Sequence, residues 1–403
     1  MIAPCPFSAL LGVLLACALT SIASAAPSAT FSVRDHGATG DGVTLDSPAI
    51  NAAINAATET GGGTVVFPAG DYLSYSIRLR SHITLHLGPG ASLIAADPPA
   101  PGEPGGYDAP EPNPWNFYQD FGHSHFRNSL IWGEDLENIA ITGPGRIYGR
   151  GLSRGNGRYA APLGAPPPPA IDGLLPDVLV ADGDYGFDPL PDLVSGPFGH
   201  PKTRDVLPAG VANKAIALKN CRNVTLRDFT MLHGGHFCIF AAGVDNLTID
   251  NLVIDTNRDG MDIDSCCNVR ISNCSVNSPW DDTICLKSSH ALGDERLTEN
   301  VTIPNCFVSG FDEGTLPDGT RQTTWQTRGR PHGRIKLGTE SGGEFRNITI
   351  SNIVFEHCRG LALEQVDGGV LEDITIFNIA MHDVVNAPIF IRLGARLRHP
   401  TAS

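Results

Sequence analysis

Seven short segments share one arrangement of apolar and polar positions. They read NIAITGP from Asn138, NVTLRDF from Asn223, NLTIDNL from Asn246, NVRISNC from Asn268, NVTIPNC from Asn300, NITISNI from Asn347 and DITIFNI from Asp373. Each opens on a polar turn residue and then alternates apolar with polar residues, the period-2 signature of a strand with one buried face. The starts at 223, 246 and 268 are 23 and 22 residues apart, and those at 347 and 373 are 26 apart. The wider steps of 32 and 47 residues between 268, 300 and 347 predict coils that carry loops. A recurring unit of this length, with strands and no helix inside it, predicts an all-β fold, a single-stranded parallel β-solenoid whose coils stack about 4.8 Å apart.

Upstream, FSVRDHGATGDGVTLDSPAINAAINAA predicts a strand, a glycine-rich turn and a short helix with Ile50 and Ile54 one turn apart. Such a helix would cap the N-terminal end of the solenoid and shield its core. Two proline-rich stretches, about 97–128 and 154–210, break the repeat and are expected to run as excursions over one face. Residues 1–25 carry an apolar run from Phe7 to Leu19 followed by Ala23-Ser24-Ala25, the pattern of a secretory signal peptide, although no Lys or Arg precedes the run. The expected organisation is therefore a leader over 1–25 and one solenoid domain over 26–403, exported and acting as a monomer. The last segment, NAPIFIRLGARLRHPTAS, is still strand-like and has no polar cap, so the C-terminal end is expected to be truncated.

A formal charge of −15 argues against a nucleic-acid partner, and no second apolar stretch is long enough to span a membrane. Eight of the ten cysteines fall between Cys221 and Cys358, four of them closing strand motifs. They are expected to be buried thiols; a disulfide framework is the alternative, and adjacent Cys266 and Cys267 fit neither pattern. No Cys/His spacing matches a zinc site, so no metal and no cofactor is assigned. Asn223, Asn246, Asn273, Asn300 and Asn347 stand in Asn-x-Ser/Thr sequences, read as turn asparagines, with glycosylation the alternative.

One rung does not look like a strand start. SPWDDTICLKS opens on adjacent Asp281 and Asp282, and DTNRDGMDIDS places Asp259 22 and 23 residues earlier, one coil away. Three carboxylates would then meet on one outer face; solvated turn aspartates are an equally good reading of the spacing alone.

Asn257-Arg258-Asp259, Asp281-Asp282 and the DHGATGDG start resemble glycoside hydrolase family 28, the polygalacturonase-like enzymes of pectin degradation, from the N-terminal strand to about residue 380. The resemblance implies a right-handed parallel β-helix and an inverting hydrolase of a pectic polysaccharide or oligosaccharide, galacturonan or rhamnogalacturonan. It implies Asp281 as general acid, Asp259 and Asp282 as the pair that positions water, and His332 as a residue that orients or tunes the acid. In inverting enzymes the two working carboxyls stand about 6.5–9.5 Å apart. Asn257 matches the family motif and is expected at the substrate.

The family's Gly-His-Gly and Arg-Ile-Lys motifs are fused here as PHGRIKLG. By register this segment falls on the Gly-His-Gly coil, and Ala362 and Glu364 of RGLALEQ stand in the Arg-Ile-Lys place. Arg334 and Lys336 are candidates for gripping a uronate carboxylate, or else members of a solvated face. Lys287 is a second such candidate, or a snorkelling strand-edge lysine. His236 is expected to wall a subsite. Two other functions fit the same fold: a pectate-type lyase using bound calcium, and a non-catalytic carbohydrate-binding relative.

Overall fold

The computed structural model describes residues 29–100, 102–119, 122–153, 207, 209–323 and 331–400. The expected leader and nearly all of the second excursion lie outside the described residues. Three parallel ladders run the length of the molecule. Arg222–Arg227, Thr230–Leu232 and Phe237–Ala242 form one coil, and Asp245–Asp250, Val253–Asp255 and Asp259–Asp264 the next, each strand pairing in parallel with its counterpart. The first two ladders merge into one sheet of 18 strands, and the third is a sheet of nine. This is a parallel β-helix.

The repeat works because each position has one job. Val224, Leu247, Val269, Val301, Ile348 and Ile374 lie in register on successive coils and form an aliphatic column along the core. Fully burying each such side chain is worth about 1.5–3 kcal/mol. The turn asparagines Asn138, Asn223, Asn246, Asn268, Asn300 and Asn347 all adopt φ between 53° and 58°, a left-handed conformation that asparagine tolerates better than most residues. From Asn223 onward, each side-chain Nδ2 donates to Oδ1 of the asparagine one coil earlier, at 2.8–3.2 Å. Asn273 likewise donates to Asp250 Oδ1 at 2.8 Å. The five sequence-motif asparagines are thus structural turn residues whose amides are already engaged.

The helix Ser47–Glu59 lies over the N-terminal coil with Ile50, Ala53, Ile54 and Ala57 fully buried. All eight described cysteines are free thiols, seven of them buried, Cys267 half-buried. The last coil leaves Ile389, Ile391 and Leu393, partners of Leu361, Leu363 and Gln365, exposed. No helix of the described residues is long and apolar enough to cross a membrane.

The first excursion folds back onto the outer face of the nine-stranded sheet. Phe126 stacks on Phe240 with centroids 4.8 Å apart, and His123 meets Asp262 at 3.2 Å. The polar row of that sheet is therefore buried under a loop along part of its length, which decides how its charges behave.

Candidate active site

The site forms at the edge where chain enters the nine-stranded sheet. Phe237 pairs with Asp259, Met261 with Ile284 and Ile284 with Ile335. Carried back to the strand starts, this register sets Phe237, Asp259, Asp282 and Gly333 side by side on four coils. The preceding row is His236, Arg258, Asp281 and His332. Backbone hydrogen bonds hold both rows: Gly260 N to Asp282 O at 2.9 Å and Gly333 N to Asp281 O at 3.0 Å. Asp259, Asp281 and Asp282 are thus brought together because the coil length equals their sequence spacing, and His332 joins them through strand register across a longer coil.

Their environments differ sharply. Asp282 is fully buried; Arg334 Nε donates to its Oδ1, and Lys336 Nζ lies 3.2 Å from its Oδ2. Burial opposes its charge, but Arg334 and Lys336 outweigh that and hold the carboxyl well below the usual range. Asp259 is also buried, and burial followed by the charges of Asp262, Asp281 and Asp282 pushes it well above the usual range. Asp281 is the most open of the three, with 20% of its side chain exposed, and its Oδ2 meets Arg258 Nη2 at 2.8 Å. Burial raises it, and Arg258 opposes the rise. His332 is buried, and burial with the charges of Arg359, Arg334 and Lys336 keeps its imidazole neutral. One ring nitrogen of His332 and one oxygen each of Asp281 and Asp282 lie within 4.8 Å of one another.

That trio has the donor types of a cation site. Asp281 and Asp282 already carry Arg258, Arg334 and Lys336 as counter-charges, so a divalent ion there would meet three positive side chains.

The raised Asp259 makes a prediction of opposite sign to ordinary carboxylate loss. A folded-state pKa above the unfolded one means that the folded state binds more protons, so stability is lost as pH rises through that interval. Asp259→Asn removes the loss. Its melting temperature should exceed that of the wild type at neutral pH and converge with it below the ordinary carboxylate range, as measured by thermal denaturation across pH. A lower melting temperature at neutral pH would show that Asp259 is a stabilising anion.

The other expected residues are placed as follows. Arg334 and Lys336 do point from one face with Ile335 inward, but that face is not solvated; both are buried against Asp282, and Lys336 also lies 3.9 Å from Glu364 Oε1. Lys336 pairs in register with Ala362, so RGLALEQ does occupy the following coil. Lys287 is buried in an ion pair with Glu340 at 2.8 Å and is not a snorkelling edge lysine. His236 is buried edge-on against Phe237, with ring centroids 4.4 Å apart. Asn257 is buried beside the site, its carbonyl accepting from Trp280 N at 3.2 Å and its Nδ2 without a protein acceptor.

Arg258, Asp262, His123 and Glu340 were not anticipated. Arg258 stood in the middle of a recognised motif, and Asp262 alternates with inward Met261 and Ile263; both signals were in the sequence. A separate recess of about 500 Å³ contains Glu137, Arg222, Asp245 and Arg296, which pair with one another (Arg222 with Glu137, Arg296 with Asp245) and leave no convergent chemistry there.

Comparison with known proteins agrees with this architecture. Residues 214–315 match the family model described as a right handed beta helix region, and residues 30–93 match that described as rhamnogalacturonase A/epimerase, pectate lyase-like. A probable polygalacturonase of Vitis vinifera is 25% identical over 265 residues, 64% of this chain and 44% of its own length. An exo-poly-alpha-D-galacturonosidase of Dickeya chrysanthemi is 25% identical over 400 residues, 93% of this chain and 59% of its own. The solved exopolygalacturonase of Thermotoga maritima superposes with a TM-score of 0.65 at 22% identity, covering 91% of this chain and 76% of that one.

The chain is a right-handed parallel β-helix, similar in sequence to polygalacturonases and in fold to a solved exopolygalacturonase. It spans about half the length of these two curated relatives.

Proposed function

We propose that the protein hydrolyses glycosidic bonds of a uronate-containing pectic polysaccharide by single displacement with inversion, working outside the cell after loss of its leader. The observation that carries this reading is the pair of adjacent rows that unite Asp259, Asp281 and Asp282, with Asp282 held ionised and Asp259 and Asp281 both raised. General acid–base cleavage needs such inequality, because one carboxyl must hold a proton while another stays ionised. Asp281, the most open, donates its proton to the leaving oxygen. Asp282, held ionised by Arg334 and Lys336, and Asp259 orient the attacking water. Neutral His332 sits against Asp281 and Asp282 and fixes their orientation.

Elimination by a pectate-type lyase would call for calcium on these carboxylates, where three cationic side chains already stand. A panel of pectic fragments, analysed by mass and ultraviolet absorbance, separates the possibilities. Hydrolysis gives saturated products, each bond cleaved adding one water and one reducing end. Unsaturated absorbing products would establish elimination, and binding without new reducing ends would establish a non-catalytic relative.

A further inference from the structure

We propose that Arg258 recognises the substrate's uronate carboxylate and that this draws it away from Asp281, freeing the acid to carry its proton. The proposal rests on the hydrolytic reading above and assigns it a recognition group and a gate. Four cationic side chains surround the carboxylates, and three are committed inside the protein. Arg334 and Lys336 face Asp282 and Lys287 faces Glu340, with side chains 2%, 8% and 5% exposed. Arg258 is 26% exposed and stands in the same row as Asp281, at the mouth of the site.

Its present hydrogen bonding is incomplete. Nη2 is taken by Asp281, while Nε is buried without a protein acceptor. A guanidinium offers two faces that grip a carboxylate at two points, Nε with Nη2 and Nη1 with Nη2. Both use Nη2. A uronate bound bidentately must therefore take the place of Asp281 on that nitrogen. Asp281 then faces Asp282 as a like charge, His332 as a neutral ring, and Arg334 and Lys336, which remain engaged by Asp282. Without its direct counter-ion, its carboxyl favours the protonated form and takes a proton from solvent. Substrates lacking a carboxylate would leave the acid paired with Arg258.

The test uses the full chain and its Arg258→Gln and Arg258→Lys variants, with trigalacturonate and its methyl ester as probes. By calorimetric titration, Arg258→Gln should weaken binding of the acid trimer about tenfold or more and leave the ester within about twofold. Arg258→Lys should fall between, since it keeps the charge but loses the fork. The alkaline limb of kcat/KM, which reports the free enzyme, should move to higher pH in Arg258→Gln because the cation that favours ionised Asp281 is gone. Equal weakening towards both probes, unchanged binding of the acid trimer, or no binding of it by the wild type would overturn the assignment. Should the Gln variant fail to fold, the acid-against-ester ratio of the Lys variant decides. A wild type that binds the acid trimer but releases no reducing ends refutes hydrolysis, while the acid-against-ester comparison still judges Arg258.

Discussion

Asp281→Asn is expected to lower kcat by about 10²–10⁴-fold, the usual contribution of a positioned general acid, while leaving the fold and KM nearly unchanged. The amide keeps the shape of the carboxyl and can still face Arg258, but it has no proton to give the leaving oxygen. The side chain is the most exposed of the three carboxyls, so little burial depends on it. Single-turnover kinetics and circular dichroism on the same preparation check both halves of the expectation. Retention of more than about a tenth of the rate would remove Asp281 from the acid role.

Asp282→Asn should behave quite differently, because here the charge is structural as well as catalytic. Asp282 is the shared anion of two buried cations, Arg334 and Lys336. Removing one partner of a buried charge network leaves the remainder uncompensated, at a cost of about 3–5 kcal/mol. Urea denaturation should show a large fall in the unfolding midpoint together with loss of activity. Since the folded-state pKa of Asp282 is depressed, its contribution is present above the ordinary carboxylate range and is lost as pH falls through the folded value. The difference between wild type and variant should therefore narrow in strong acid. Adding Lys336→Met to Asp282→Asn should recover part of the loss, because it removes one of the stranded cations. A neutral Asp282→Asn substitution would mean that Arg334 and Lys336 hold each other's surroundings without this anion.

The contrast shows what could be read from the sequence and what could not. The solenoid was legible because its determinants are local and repeated: an asparagine that tolerates φ near 55°, then aliphatics at alternate positions. The carboxylate cluster was legible because a separation of 22 or 23 residues becomes a separation of one coil when the period is the same. The destinations of the cations were not legible. Lys287 meets Glu340, 53 residues away, across a coil with a long insertion. Arg334 and Lys336 turn to Asp282 because it is the buried anion beside them, a choice made by burial rather than by spacing. His123 reaches Asp262 from a non-periodic loop, where no repeat predicts register. Arg258 sits inside a motif whose flanking residues, Asn257 and Asp259, carry the resemblance.

The single-displacement mechanism is tested most directly by proton NMR of the first product formed from fresh oligogalacturonide, before mutarotation. Asp259 and Asp282 lie on adjacent coils, Asp281 and Asp282 are chain neighbours with one oxygen of each within 4.8 Å, and the stereochemistry decides whether a water or one of these carboxylates attacks. The expected spectrum shows the new reducing end first in the anomeric configuration opposite to that of the bond cleaved, with no vinyl proton. A first product that keeps the original configuration would make one of these carboxylates a nucleophile, and a vinyl signal would mean elimination; either result contradicts the mechanism.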